Sequence, residues 1–194
     1  MKLRESGMPE EAYWETLFDI DLTLDRLRID HRLRDVVELG CGYGTFTLPV
    51  ARRITGWIRT LDIDPSMVER TAQRAAMEGV ENISCELRDV FQDGFGVEPG
   101  SQDACLLFNI LHCENPQRLL EEAVRVLRPE GLVHVIHWRH DPATPRGPGM
   151  DIRPHPEQII RWASAARLSS PLDGVLDLPP WHYGIRFRRR TAVP

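Results

Sequence analysis

The residues best suited to chemistry lie in two short stretches. In V-V-E-L-G-C-G-Y-G-T-F at 36–46, glycine recurs at every second position as Gly40, Gly42 and Gly44, behind Glu38 and around Cys41. An apolar run that feeds such a loop and then a helical pattern brings bare main chain and free N–H groups against a ligand at the carboxyl end of a buried strand. About 20 residues further on, Asp62 closes the next apolar run, the separation at which a carboxylate on a neighbouring strand end can bond ribose hydroxyls. Asp64, just before Pro65, suits a helix cap, which leaves Asp62 for another task. A dinucleotide loop of the form G-x-G-x-x-G needs its third glycine at position 45. The residue there is Thr45, and this weighs against the alternative of a nicotinamide-dependent oxidoreductase.

These residues need a scaffold, and the apolar pattern supplies one. Short apolar runs at 36–39, 58–63, 83–87, 104–108 and 132–137 alternate with helical periods at 45–54, 65–77 and 116–127. That alternation argues for right-handed βαβ units and a parallel sheet covered on both faces. Before it, an amphipathic helix is expected from Pro9, with Tyr13, Trp14, Leu17 and Phe18 on one face, forming a helical cap over 1–30. After it come a Pro- and Gly-rich loop at 139–156, a last helix from Pro156 to about Arg167, and two apolar stretches at 175–178 and 185–189 that read as a hairpin. The 194 residues form one domain on this reading. The formal charge of −5 offers no general attraction to nucleic acid. The basic cluster Arg186, Arg188, Arg189 and Arg190 reads as protection of an edge strand. No run approaches the roughly 20 apolar residues of a membrane span, and 1–7 lacks the apolar core of a secretory signal, so a cytoplasmic protein with no membrane partner is expected. Cys41, Cys85, Cys105 and Cys113 lack the spacing of a zinc site, so no metal is expected and they read as reduced, mostly core, thiols.

The chain resembles the seven-stranded class I S-adenosylmethionine-dependent methyltransferases. Glu38, Gly40, Gly42 and Gly44 match the E-x-G-x-G-x-G of their first motif, and L-D-I-D-P-S-M at 61–67 looks like their second. Further matches are R-D-V at 88–90, the stretch 103–112, and R-V-L-R-P-E-G at 125–131, where Glu130 departs from the family's usual glycine. The resemblance implies an α/β fold: a three-layer αβα sandwich around a mostly parallel seven-stranded sheet, with an antiparallel last strand inserted beside the fifth. It also implies that the 40–44 loop holds the methionine part of S-adenosyl-L-methionine and that Asp62 holds the ribose. Ile63 and Val90 would sandwich the adenine, Asp89 would accept from its amine, and Asn109 would line the pocket opposite.

Methyl transfer is an in-line displacement in which alignment supplies much of the acceleration, and a base is needed only when the acceptor must lose a proton. His112, His137 and His182 fall at strand ends where acceptors bind in such folds, with His112 the leading candidate base; a polar residue bonded to the following loop is the other reading. Arg146 and Arg153 in the long loop suit an anionic or polar small acceptor, or else fasten the loop by pairing with Asp141 or Asp151. Trp14, Trp138, Trp181 and Tyr183 can wall an acceptor pocket or pack a core. The expected activity is methylation of a small molecule, with S-adenosyl-L-homocysteine as product; a protein that binds the cofactor without catalysis is the third alternative. Methylation of a base amine is disfavoured, because F-N-I-L at 108–111 replaces the N-P-P-Y-type motif.

Overall fold

The computed structural model describes residues 8–190; the first part of the expected cap, 1–7, lies outside them. The elements are α1 (Glu11–Glu15), α2 (Ile20–Arg26), β1 (Val36–Leu39), α3 (Thr47–Arg53), β2 (Ile58–Asp62), α4 (Pro65–Met77) and β3 (Ile83–Leu87). They continue with α5 (Val90–Asp93), β4 (Gln102–Phe108), α6 (Pro116–Val126), β5 (Leu127–Trp138), α7 (Pro156–Ala165), β6 (Leu176–Leu178) and β7 (His182–Arg188).

One sheet holds all seven strands in the order β3-β2-β1-β4-β5-β7-β6. β1 to β5 pair in parallel, whereas β7 runs antiparallel to both β5 and β6. The terminal hairpin thus inserts its second strand beside β5, as the resemblance implies. Strand order reverses between β1 and β4, so a crevice opens there at the carboxyl ends, where ligands bind in open α/β sheets. Because side chains alternate along a strand, Val37, Leu39, Leu107 and Val135 meet α6 and α7 on one face, while Val36, Leu106 and Ile136 meet α2 and α3 on the other. Every residue of β1 is buried, as a strand covered on both faces requires.

Five local readings change. The N-terminal helix is two short ones: Thr16 folds its hydroxyl back onto the Tyr13 carbonyl at 2.7 Å, and Asp19 caps a new start by accepting from Leu22 N at 3.0 Å. Tyr13, 42% exposed, falls off the buried stripe. α3 begins at Thr47 rather than 45, since the glycine loop needs the intervening residues. α6 runs straight into β5 at Leu127, and Glu130 there adopts φ +66°, the left-handed conformation that explains the family's preference for glycine. The short α5 was not anticipated; Asp89 starts it as a cap. The arginines of β7 do not guard an edge, because β7 is interior: Arg186 is buried and pairs with Asp173, and Arg188 pairs with Glu130 at 3.1 Å.

Candidate active site

Main-chain bonds align the strand ends that form the crevice. Gly40 N donates to Leu61 O at 2.7 Å, Arg88 N to Asp62 O at 2.7 Å and Asn109 N to Ile136 O at 2.8 Å. The glycine loop leaves β1 with Gly40 at φ +79° and closes with Gly44 at φ +76°. A Cβ on Gly40 would meet Ile110 at 3.4 Å inside the crevice. One on Gly44 would strike Leu48 at 2.7 Å, so the loop packs closely onto α3 and α4 at Gly44. From α4, Thr71 donates to Gly42 O and Arg74 to Tyr43 O, each at 3.0 Å, fixing the loop's shape. Nothing in the spacing of the sequence identified those two supports.

Asp62 stands at the centre of this geometry. Its Oδ2 accepts from Gly42 N at 3.2 Å and lies 3.6 Å from the Cys41 thiol, while Oδ1 accepts from Asp64 N at 2.9 Å. Asp64 caps α4 as expected, taking Ser66 N at 2.9 Å. Asp89 accepts from Phe91 N at 3.0 Å and Gln92 Nε2 at 2.6 Å; burial opposes its ionisation, but the bonds from Gln92 and Phe91 hold the carboxyl below its usual range. Glu38 is 2% exposed; Thr47 Oγ1 donates to its carboxyl at 2.6 Å, and burial pushes its pKa up to about 7.

The crevice is a shallow one lined by Gly40, Asp62, Ile63, Asp89, Val90 and Ile110, among others. Ile63 is 37% exposed, an unusual position for a large aliphatic residue, and with buried Val90 it offers an apolar slot for a flat ring. Asn109 adopts φ +54°, and its Oδ1 is buried without a hydrogen-bond partner. A bare loop, a carboxylate beside it, an apolar slot and an unsatisfied amide oxygen fit a nucleoside carrying an amino-acid tail. Over the loop lies the N-terminal segment: Tyr43 donates to Pro9 O at 2.7 Å, and Arg74 pairs with Glu11 at 3.0 Å and Glu15 at 2.7 Å.

On the other half of the mouth, the register Trp138↔His182 and His137↔Tyr183 forms the last two rungs of β5 and β7. His112, half-buried in the loop before α6, sets its ring edge-on to that of His137 at 5.6 Å. His137 and His182 are buried, and burial drives both imidazoles down, His182 to about 3. Tyr183 is also buried, donating to Pro154 O at 2.8 Å, and Trp138 is 2% exposed, so both are built into the wall rather than displayed on it. Trp14 packs 6.3 Å from Trp138, and Trp181 is half-buried in the turn before β7. Arg153 differs from either expectation. Its guanidinium makes no ion pair with Asp141 or Asp151 and instead gives all of its N–H groups to the Arg139, Arg146 and Pro148 carbonyls and the Thr144 hydroxyl. The loop is wrapped around it. Arg146, half-buried, contributes its carbonyl to that wrapping.

No helix among the described residues is long and apolar enough to cross a membrane. A methyltransferase-domain family model matches residues 36–131, the stretch that holds β1 through α6 and the whole crevice. Among curated relatives, the ubiquinone biosynthesis O-methyltransferase of Neisseria meningitidis is 28% identical over 136 residues, covering 68% of this chain and 57% of its own length. The 23S rRNA (uracil(1939)-C(5))-methyltransferase of Alcanivorax borkumensis is 29% identical over 127 residues, covering 64% of this chain and 27% of that one. The chain therefore spans little more than half of one relative and about a quarter of the other. A SAM-dependent methyltransferase from Aquifex aeolicus superposes with a TM-score of 0.79 at 17% identity, over 93% of this chain and 94% of its own. With the strand order and the crevice in agreement, residues 36–131 belong to the methyltransferase-domain family, and the chain carries the seven-stranded fold of the S-adenosylmethionine-dependent methyltransferases.

Proposed function

We propose that the protein transfers the methyl group of S-adenosyl-L-methionine to a small-molecule acceptor by in-line displacement. The observation that carries the reading is the coupling of Asp62 to the glycine loop across two strand ends, with Ile63 and Val90 forming an apolar slot alongside. When bound, the cofactor supplies an activated methyl on sulfonium sulfur. The chain's residues would do the rest. Gly40 and Gly42 receive the amino-acid tail at bare main chain, with Cys41 beside them. Asp62 binds the ribose, Ile63 and Val90 enclose the adenine, and Asp89 faces its amine. Asn109, with an unsatisfied oxygen at the end of β4, faces the ligand from the opposite wall. Residues 8–30 act as the cap that excludes water from the reacting centre, held by the ion pairs of Glu11 and Glu15. His112, in the loop after β4 with its ring edge-on to His137, is the candidate base for an acceptor that must lose a proton. A net charge of −5 favours a small molecule over a nucleic acid.

The test is thermal stabilisation by S-adenosylhomocysteine against NAD, since a ligand that binds only the native state must raise its stability. Stabilisation by the first and none by the second is expected. Transfer of an isotopic methyl group into a metabolite extract, followed by mass identification of the product, then separates an enzyme from a protein that only binds the cofactor. Stabilisation by NAD alone would sink the proposal.

A further inference from the structure

The top two rungs of β5 and β7 hold more unsatisfied polarity than packing requires. His137 and His182 are 0% and 1% exposed, and neither nitrogen of either ring has a hydrogen-bond partner. Asn109 Oδ1, at the adjacent strand end, is in the same condition. A buried polar atom left unpaired destabilises the fold unless something completes it, and such atoms mark where a ligand's polar group belongs.

The electrostatics of this corner are one-sided. Arg153 is 6% exposed and lies 5.9 Å over the Trp138 ring. Carbonyls and a hydroxyl solvate its guanidinium, but those dipoles do not cancel its charge. The carboxylates nearest in effect, Asp141 on Arg153 and Glu157 on Tyr183, are exposed, and Asp177 is already paired with Arg139 and Arg26. The interior groups are neutral imidazoles, an amide and a cation, with no anion among them. An ammonium group placed here would face an unneutralised guanidinium, whereas an oxyanion would meet it favourably. Around the same corner Trp14, Phe18 and Trp138 lie with ring centroids 4.9 to 6.4 Å apart and their planes inclined by 57 to 65°, an aromatic cluster.

Resting on the methyltransferase reading, we propose that the acceptor is a flat acid, methylated on oxygen. Its ring lies against Trp14, and its acidic oxygen accepts from a ring N–H of His137 in the field of Arg153. A lone pair on that oxygen forms the new O–C bond as the C–S bond breaks, the bonding pair staying on sulfur. A carboxylate loses no proton, and a phenolic hydroxyl gives its proton to a ring nitrogen of His112. Trp14 and Phe18 close the space, so the acceptor reaches it when the cap of α1 and α2 shifts.

The experiment uses the whole chain saturated with S-adenosylhomocysteine and measures binding of benzoate, 4-hydroxybenzoate and benzylamine by calorimetry. The acids are expected to bind at least about tenfold more tightly than the amine of the same shape. Equal or tighter binding of benzylamine, or no binding of either acid at millimolar concentration, would overturn the proposal. His137→Phe keeps the flat packing and removes the ring nitrogens; it should weaken the acids about tenfold and leave S-adenosylhomocysteine affinity unchanged. Unchanged acid affinity in that variant would also overturn it. Where methyl is transferred, lability of the product to mild alkali identifies a carboxyl ester, and stability a phenolic ether. Failure of S-adenosylhomocysteine itself to bind would instead overturn the cofactor reading, so the two failures are distinct.

Discussion

The two halves of the sheet's open end are built on opposite plans. Around β1, β2 and β3, the strand-end carboxylates are partnered: Asp64 caps α4, Asp89 caps α5, and Asp62 spans from its own turn to the glycine loop. Around β5 and β7, satisfaction is uneven. Tyr183 reaches Pro154 and Arg153 is wrapped by its own loop, whereas the ring nitrogens of His137 and His182 have no hydrogen-bond partner. The first half is a finished cradle whose shape precedes its ligand. The second is held by long-range packing and carries an unpaid polar deficit. The cofactor site proposed above falls in the half whose carboxylates are satisfied, and the proposed acceptor site in the half whose polar atoms are left unpaired.

The largest way to break this contrast is acid. His134 and His182 are pushed down to about 3 by burial, and His137 well below its ordinary value, so in the native state all three stay neutral while the unfolded rings take up protons below about pH 6.5. Glu38 acts in the opposite sense. Its pKa is raised to about 7, so the native state holds the extra proton between the unfolded carboxyl value and neutrality. Stability rises with pH wherever the unfolded state binds more protons, and between pH 5 and 6 three rings outweigh one carboxyl. Unfolding free energy should thus fall by roughly 2 to 3 kcal/mol per pH unit on acidification there, and His134→Leu should remove about one proton from that slope. Urea titrations at a series of pH values measure it; a flat profile would mean that these rings are solvated.

Next comes Arg153→Met, which leaves the Arg139, Arg146 and Pro148 carbonyls without their donor. A loss of about 3 kcal/mol or more is expected by chemical denaturation, with earlier proteolysis within 139–156. If stability were unchanged, the loop would not depend on its arginine and the second half would be less tightly organised than its hydrogen bonds indicate.

The same division explains how much was legible in the sequence. The parallel βαβ part of the sheet follows from alternation of apolar runs, a property a chain carries residue by residue, whereas the place of the last strand beside the fifth comes from the resemblance. Asp62, Ile63 and Val90 could be named on spacing and resemblance because strand ends in a parallel sheet are adjacent by topology. The bond from Thr47 to Glu38 joins β1 to α3 inside the core, and a motif position alone does not announce such a partner. The fate of Arg153 depended on which carbonyls a 139–156 loop folds around it, and that is fixed by where β5 and β7 end. The break in the N-terminal helix was written locally in Thr16 and Asp19, but amphipathic periodicity masked it.

The cofactor half is tested most directly by Asp62→Ala. Removing the carboxylate takes away the expected ribose contacts and also the anchor on Gly42 N, 3.2 Å away. Affinity for S-adenosylhomocysteine should fall by roughly 1 to 3 kcal/mol in calorimetry, and acceptor binding measured separately should change less. Wild-type affinity would remove Asp62 from the site.

The smallest effect lies at the junction between the halves, where α6 turns into β5. Glu130 holds φ +66° there, a conformation that destabilises a residue with a Cβ by about 1 kcal/mol and glycine hardly at all. Glycine would also gain freedom in the unfolded chain and would lose the ion pair with Arg188, which is exposed on both sides and contributes little. These opposing effects nearly cancel. Glu130→Gly should therefore shift stability by no more than about 0.5 kcal/mol in either direction, and should leave S-adenosylhomocysteine binding unchanged. A larger loss would mean that the Glu130–Arg188 pair fastens β7 to β5 more strongly than its exposure suggests, extending long-range assembly to the far end of the strands.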